Sequence, residues 1–137
     1  MNNSIQQQNN KKLILIIDDD KNYREILRIK LQSAGYEIIE AENGKEGISL
    51  LDQYKPNLIL LDVVMPIMNG VDTLFWLKTH PNGKNIKVLI MTNKFDLKEE
   101  IGDQYNKIIK KFGALDFFSK SESLDQILKR IKTTLGQ

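Results

Sequence analysis

Asp62 closes the apolar run Leu58-Ile59-Leu60-Leu61, and the chain then breaks into Val63-Val64-Met65-Pro66-Ile67-Met68-Asn69-Gly70. Packing asks for no acid at that point. A strand-end Asp often does no more than start a turn, but a carboxylate can also be the nucleophile that receives a phosphoryl group. Other apolar runs end in polar groups too: the first in Asp18 and Asp19, the fourth in Thr92, the fifth in Lys120. Three carboxylates brought together repel one another, and some would take up protons unless a cation compensates. Oxygen donors without His or Cys favour a hard ion, and Mg²⁺ suits a site of one or two carboxylates and several waters. A lysine beside such an ion and a hydroxyl makes a cradle for a phosphoryl group.

Each residue also has a plain structural reading. Asp18 to Asp20 can form an acidic cap on the following helix, favoured by its dipole, and Asp20 reads mostly as that. Thr92 can be an ordinary β-branched strand end, and Lys120 a surface lysine. His80, the only histidine, sits in a Pro-Gly loop and reads as solvent-exposed, while Phe75 and Trp76 read as core. Convergence of the acids, the threonine and the lysine makes coincidence the weaker explanation.

The elements that must position these groups follow from pattern. Lys12 to Ile17 is an apolar run, and Tyr23, Ile26, Leu27, Leu31 and Ala34 follow at helical spacing with Gly35 as the stop. Tyr36 to Ala41 is a short strand, Lys45 to Tyr54 a helix halted before Pro56, and Leu58 to Leu61 a run that predicts a strand buried on both faces. Val71 to Lys78 is helical until His80-Pro81-Asn82-Gly83 breaks it, and Lys87 to Met91 is a fourth strand. Asp96 reads as the N-cap of a helix carrying Leu97, Ile101, Tyr105, Ile108 and Phe112, which Gly113 ends. Leu115 to Ser119 is the fifth strand, and Ser123 caps a last helix with Leu124, Ile127, Leu128, Ile131 and Leu135 inward. Five strand–helix alternations predict an α/β fold, a five-stranded parallel sheet with five helices on both faces. In such a sheet every strand's carboxyl end lies on one edge, where open α/β folds bind ligands.

With 137 residues the chain suits one domain. Its net charge of +2 is too small to argue for a nucleic-acid partner. The absence of cysteine excludes disulfides and thiolate metal sites. No apolar stretch reaches membrane-spanning length, and the Asn/Gln-rich start has no signal-peptide core. These features predict a cytoplasmic protein with a disordered polar tail over 1–11 and one folded unit over 12–137.

The segments Leu15-Ile16-Ile17-Asp18-Asp19-Asp20, Leu58 through Gly70, Val88-Leu89-Ile90-Met91-Thr92 and Gly113 through Lys120 resemble the receiver domain of two-component response regulators. The resemblance implies a flavodoxin-like sheet of order 2-1-3-4-5, known from the family's chemotaxis member. It also implies that Asp62 accepts a phosphoryl group from a sensor histidine kinase or a phosphotransfer protein. Asp19 and Asp62 would hold Mg²⁺ directly, with the backbone carbonyl of Val64, and Asp18 mainly through water. Lys120 would pair with a phosphoryl oxygen, Thr92 would swing to another, and Phe117 would turn inward as Thr92 moves. The output face would be the fourth helix, fifth strand and fifth helix. The output protein is unknown, and a phosphorylation-dependent dimer is open. Such a stand-alone receiver is not an enzyme beyond its own phosphorylation and dephosphorylation.

The chain departs from the family at several points. Ser121 follows Lys120 where proline is usual, and a cis bond before serine costs roughly 3 kcal/mol. That predicts a trans bond with a rebuilt loop, or a strained cis bond held by the site. Asn93 stands where a small residue is favoured and would narrow the path to the phosphoryl group. Val64 and Lys94 occupy positions that tune hydrolysis, and an apolar Val64 predicts a long-lived phosphate. The stretch from Thr92 to Lys120 is longer than usual by about one to two helical turns. Two rival readings are a haloacid-dehalogenase-like phosphatase using Asp18 and Asp20, and a receiver-fold binding module that is not phosphorylated.

Overall fold

The computed structural model describes residues 11–62, 70–92, 111 and 113–137. Five strands, β1 (Leu13–Ile17), β2 (Glu37–Ala41), β3 (Leu58–Asp62), β4 (Lys87–Thr92) and β5 (Asp116–Ser119), form one sheet. Its order is β2-β1-β3-β4-β5, with every pairing parallel. Four helices accompany it among the described residues: α1 (Lys21–Ser33), α2 (Gly44–Leu50), α3 (Gly70–Thr79) and α4 (Leu124–Thr134). The predicted helix with Asp96 as its cap, along with Val64, Pro66, Asn93, Lys94 and residues 1–10 of the predicted polar tail, lies outside the described residues.

The sheet takes its two-sided character from the strand period of two. Leu15, Ile17, Ile59, Leu61, Val88 and Ile90 face one layer, where Leu51, Leu74 and Leu77 cover them. Ile14, Ile16, Leu58, Leu60, Leu89 and Met91 face the other, beneath Leu27 and Leu31 of α1 and Ile127 and Ile131 of α4. Strand β3 is buried along its whole length, as its unbroken apolar run predicts.

Capping sets where the helices start. The Asp20 side chain accepts from Tyr23 N at 3.1 Å and opens α1, and Ser123 Oγ accepts from Gln126 N at 3.2 Å and opens α4. Gly35, with φ +98°, takes the left-handed conformation that ends α1.

Several boundaries and faces differ from the sequence reading. α2 stops at Leu50 and continues only as turns over 51–53, ahead of Pro56. β5 begins at Asp116, leaving Leu115 half exposed. Phe75 is not core: it is 55% exposed. The buried stripe of α3 runs through Gly70, Thr73, Leu74 and Leu77, and Phe75 falls outside that arc. Trp76 does pack against the core and stacks on exposed His80, with ring centroids 3.6 Å apart. Ile26 is likewise half exposed, off the stripe carried by Leu27 and Leu31.

One close approach fixes α2 on the sheet. A Cβ at Gly47 would collide with Ile17 Cδ1 and lie 2.8 Å from its Cγ1, and Ile17 is fully buried. Gly47→Ala is therefore expected to destabilise by about 1–3 kcal/mol through overpacking, less a helix-propensity gain of at most about 1 kcal/mol. The midpoint of urea unfolding measures this, and a higher midpoint would contradict the packing argument.

Candidate functional site

The parallel sheet delivers the polar strand ends to one edge, as its topology requires. Asp18 N donates to Ala41 O at 3.1 Å, so the residue after β1 is still held by the ladder to β2. Its side chain is fully buried, and its Oδ1 accepts from Asp20 N at 2.9 Å. Asp62 is the last residue of β3, opposite Met91, and is 5% exposed. Thr92 ends β4, is buried, and lies opposite Ser119. Asp19 reaches outward and is exposed. Phe117 lies opposite Ile90, partly buried against the core.

Lys120 is the point at which these groups meet. Its backbone N donates to Thr92 O at 2.7 Å. Its ammonium lies 2.6 Å from Asp18 Oδ2 and 3.5 Å from Asp62 Oδ2, with a side chain only 8% exposed. The Asp18 contact is an ion pair rather than an aimed hydrogen bond, since Oδ2 accepts no well-directed bond among the described residues. In this state Lys120 therefore bridges two carboxylates. The Lys120–Ser121 peptide bond is trans, and among the described residues no peptide bond is cis. Of the two options that Ser121 allows, the trans bond is the one observed.

Asp18, Asp19 and Asp62 each present a carboxylate oxygen within 4.8 Å of the others. Lys120 meets two of the three. A buried, under-coordinated Oδ2 and an all-oxygen donor set fit a hard divalent cation. Asp20, by contrast, is spent on capping α1, which removes the second acid that a phosphatase built on Asp18 and Asp20 would need.

Three contributors were not legible as site residues. Arg24 Nη1 donates to the Asp18 carbonyl, and its Nε donates to Glu40 Oε1 at 3.2 Å, bracing the turn after β1. The Tyr23 ring lies under Lys120, with Nζ 4.9 Å from its centroid, a cation–π arrangement. Glu122 accepts from Ser119 N at 2.7 Å, beside Lys120.

Tyr23 carries a further consequence. Its hydroxyl is buried with no hydrogen-bond partner among the described residues. Burial first, then the charges of Asp18, Glu122 and Asp62, push its phenol well above the ordinary value of 10.0. An acid whose folded pKa is raised supports the fold fully below its unfolded pKa and loses that support as pH rises past it. Tyr23→Phe removes an unpaired buried hydroxyl, so it is expected to stabilise by about 1 kcal/mol or more at neutral pH. It should also flatten the loss of stability above pH 10. Urea unfolding at pH 7 and in the alkaline range measures both effects, and a less stable variant at pH 7 would show that the hydroxyl has a partner.

Comparison with known proteins agrees with this fold. The family model described as the response regulator receiver domain matches residues 14–132. The polar-differentiation response regulator DivK of Brucella anthropi is 31% identical over 82% of this chain and 86% of its own. Protein PilH of Pseudomonas aeruginosa is 32% identical over 80% of this chain and 86% of its own. The structure of the Vibrio cholerae chemotaxis protein CheY4 superposes with a TM-score of 0.81 at 23% identity, covering 90% of this chain and 98% of that one, a likeness of fold.

Proposed function

The chain belongs to the response regulator receiver family of two-component signalling, and from that premise we propose that Asp62 is its phosphoacceptor. The observation that carries this reading is the meeting of Asp62, Asp18, Asp19 and Lys120 at one sheet edge. The donor is a phosphohistidine on a sensor histidine kinase or a phosphotransfer protein. An Asp62 oxygen attacks phosphorus as the phosphorus–nitrogen bond breaks. The bonding pair stays on the imidazole, and an acyl phosphate remains on Asp62.

Asp19 and Asp62 would hold Mg²⁺, with the Val64 carbonyl, and Asp18 would act through water. The bound ion supplies positive charge that offsets the crowded carboxylates and the phosphoryl oxygens. Lys120 exchanges its contact with Asp62 for one with a phosphoryl oxygen, keeping its charge where negative charge develops. Thr92 donates its hydroxyl to another oxygen, and Phe117 follows by moving inward. The new charge and its ligands thus bias a two-state element, and a partner reads the result. We place the protein in the cytoplasm as a signalling switch rather than an enzyme acting on diffusible substrates. Among the described residues no helix is long and apolar enough to cross a membrane.

Incubation with acetyl phosphate and Mg²⁺, followed by intact-mass measurement, tests the reading. One added phosphoryl group is the expected result. Folded protein that gains none over hours would overturn it.

A further inference from the structure

We propose that Glu122, braced by Arg130, is a positioning residue that fixes Lys120 for phosphoryl transfer; this rests on the reading of Asp62 as phosphoacceptor. Lys120 stands in the loop between β5 and α4, with a trans bond to Ser121 and no proline to stiffen it. Thr92 O holds the Lys120 backbone N from the sheet side. On the other side Glu122 closes the loop twice. Its backbone N donates to Ser119 O at 3.0 Å, and its Oε2 accepts from Ser119 N at 2.7 Å.

The second carboxylate oxygen of Glu122 is also engaged. Arg130 Nη2 donates to Oε1 at 3.0 Å, and Arg130 Nη1 donates to Asp116 Oδ2 at 3.0 Å. One guanidinium thus ties the start of β5, the loop and the middle of α4 together. Within the loop, Ser121 N donates to Ser119 Oγ at 3.1 Å, and the two hydroxyls lie 2.6 Å apart. The Lys120 backbone is therefore enclosed by a ring of hydrogen bonds whose charged member is Glu122.

An isolated surface ion pair would do little here. This one differs in three respects. Glu122 is only 25% exposed at its side chain. It donates and accepts across the same residue, Ser119. Its charge also bears on Tyr23, whose ring lies beneath the Lys120 ammonium. Charge-assisted bonds to a fixed guanidinium are directional, so the bracket specifies where the lysine stem begins. Outer residues that orient groups at a reacting centre are known to matter by about 10–100-fold in rate or affinity.

The test is a double-mutant cycle on phosphorylation by acetyl phosphate at fixed Mg²⁺. Glu122→Ala is expected to lower the rate constant about tenfold, with the Mg²⁺ dissociation constant unchanged, because Glu122 is not among the clustered acids. In a Lys120→Ala background the same change should add nothing, since its effect runs through the lysine. Arg130→Gln leaves the loop's own bonds in place and should lower the rate about threefold, which keeps the proposal testable if Glu122→Ala unfolds. Wild-type rates in both single variants would overturn the proposal, and so would an equal loss in the Lys120→Ala background. Failure of the wild-type chain to take up phosphate would instead overturn the phosphoacceptor reading.

Discussion

Asp62→Asn is expected to abolish uptake of a phosphoryl group from acetyl phosphate or from a phosphohistidine donor. The amide has nearly the same shape, so the fold and the neighbouring contacts of β3 persist. What disappears is the anionic oxygen that must bond to phosphorus. A neutral amide oxygen is a far weaker nucleophile and forms no stable acyl phosphate. The intact mass should stay at the unmodified value under conditions that fully convert the wild-type chain. A modified Asp62→Asn chain would place the acceptor elsewhere, with Asp18 and Asp19 as the nearest carboxylates.

The same substitution has a second expected effect, of opposite sign. Three carboxylates crowd this edge, and two of them meet Lys120. Removing one relieves like-charge repulsion while giving up the 3.5 Å contact with Lys120, so the cation-free protein should become more stable by a net of about 1 kcal/mol. Added Mg²⁺ should then stabilise the variant less than the wild type, since at a given concentration a ligand that binds the folded state more weakly stabilises it less. Thermal melting with and without Mg²⁺ measures both. Equal Mg²⁺ responses in the two proteins would remove Asp62 from the cation site.

The site was more legible in the sequence than the surfaces around it, and for a physical reason. In a parallel sheet all strands point the same way, so polar residues at strand ends converge however far apart they lie in sequence. Recognising the strands was therefore enough to bring Asp18, Asp62, Thr92 and Lys120 together. The apolar runs were unambiguous, above all Leu58–Leu61, because a strand buried on both faces needs no alternation. Helical faces were less legible. Apolarity alone does not say which of two adjacent residues meets the sheet, so Phe75 and Ile26 read as inward and are half exposed. The bracket from Arg130 through Glu122 to Ser119 joins a helix to a strand end, a contact that no local pattern encodes. Tyr23 was legible as part of α1's inner stripe, but its place under Lys120 depends on a loop a hundred residues away.

Lys120→Ala is expected to affect stability most. Asp18 is fully buried and has its Oδ2 against the Lys120 ammonium at 2.6 Å, with both side chains almost wholly out of solvent. Forming such a pair brings little net gain, because desolvation offsets attraction, but removing one partner strands the other charge. The expected loss is about 3–5 kcal/mol in cation-free buffer, against about 0–1 kcal/mol for an exposed pair. Mg²⁺ at millimolar concentration should recover part of that loss by supplying the missing positive charge. Phosphoryl transfer should fall about 10²–10³-fold, the usual consequence of deleting one preorganised group aimed at developing charge. Lys120→Arg separates the two roles. It keeps the buried charge, so stability should fall far less, but its planar fork cannot reproduce a compact ammonium between Asp18 and Asp62, and transfer should still slow. A Lys120→Ala protein as stable as the wild type without Mg²⁺ would mean that Asp18 finds another partner or a proton. The lysine would then serve the chemistry alone.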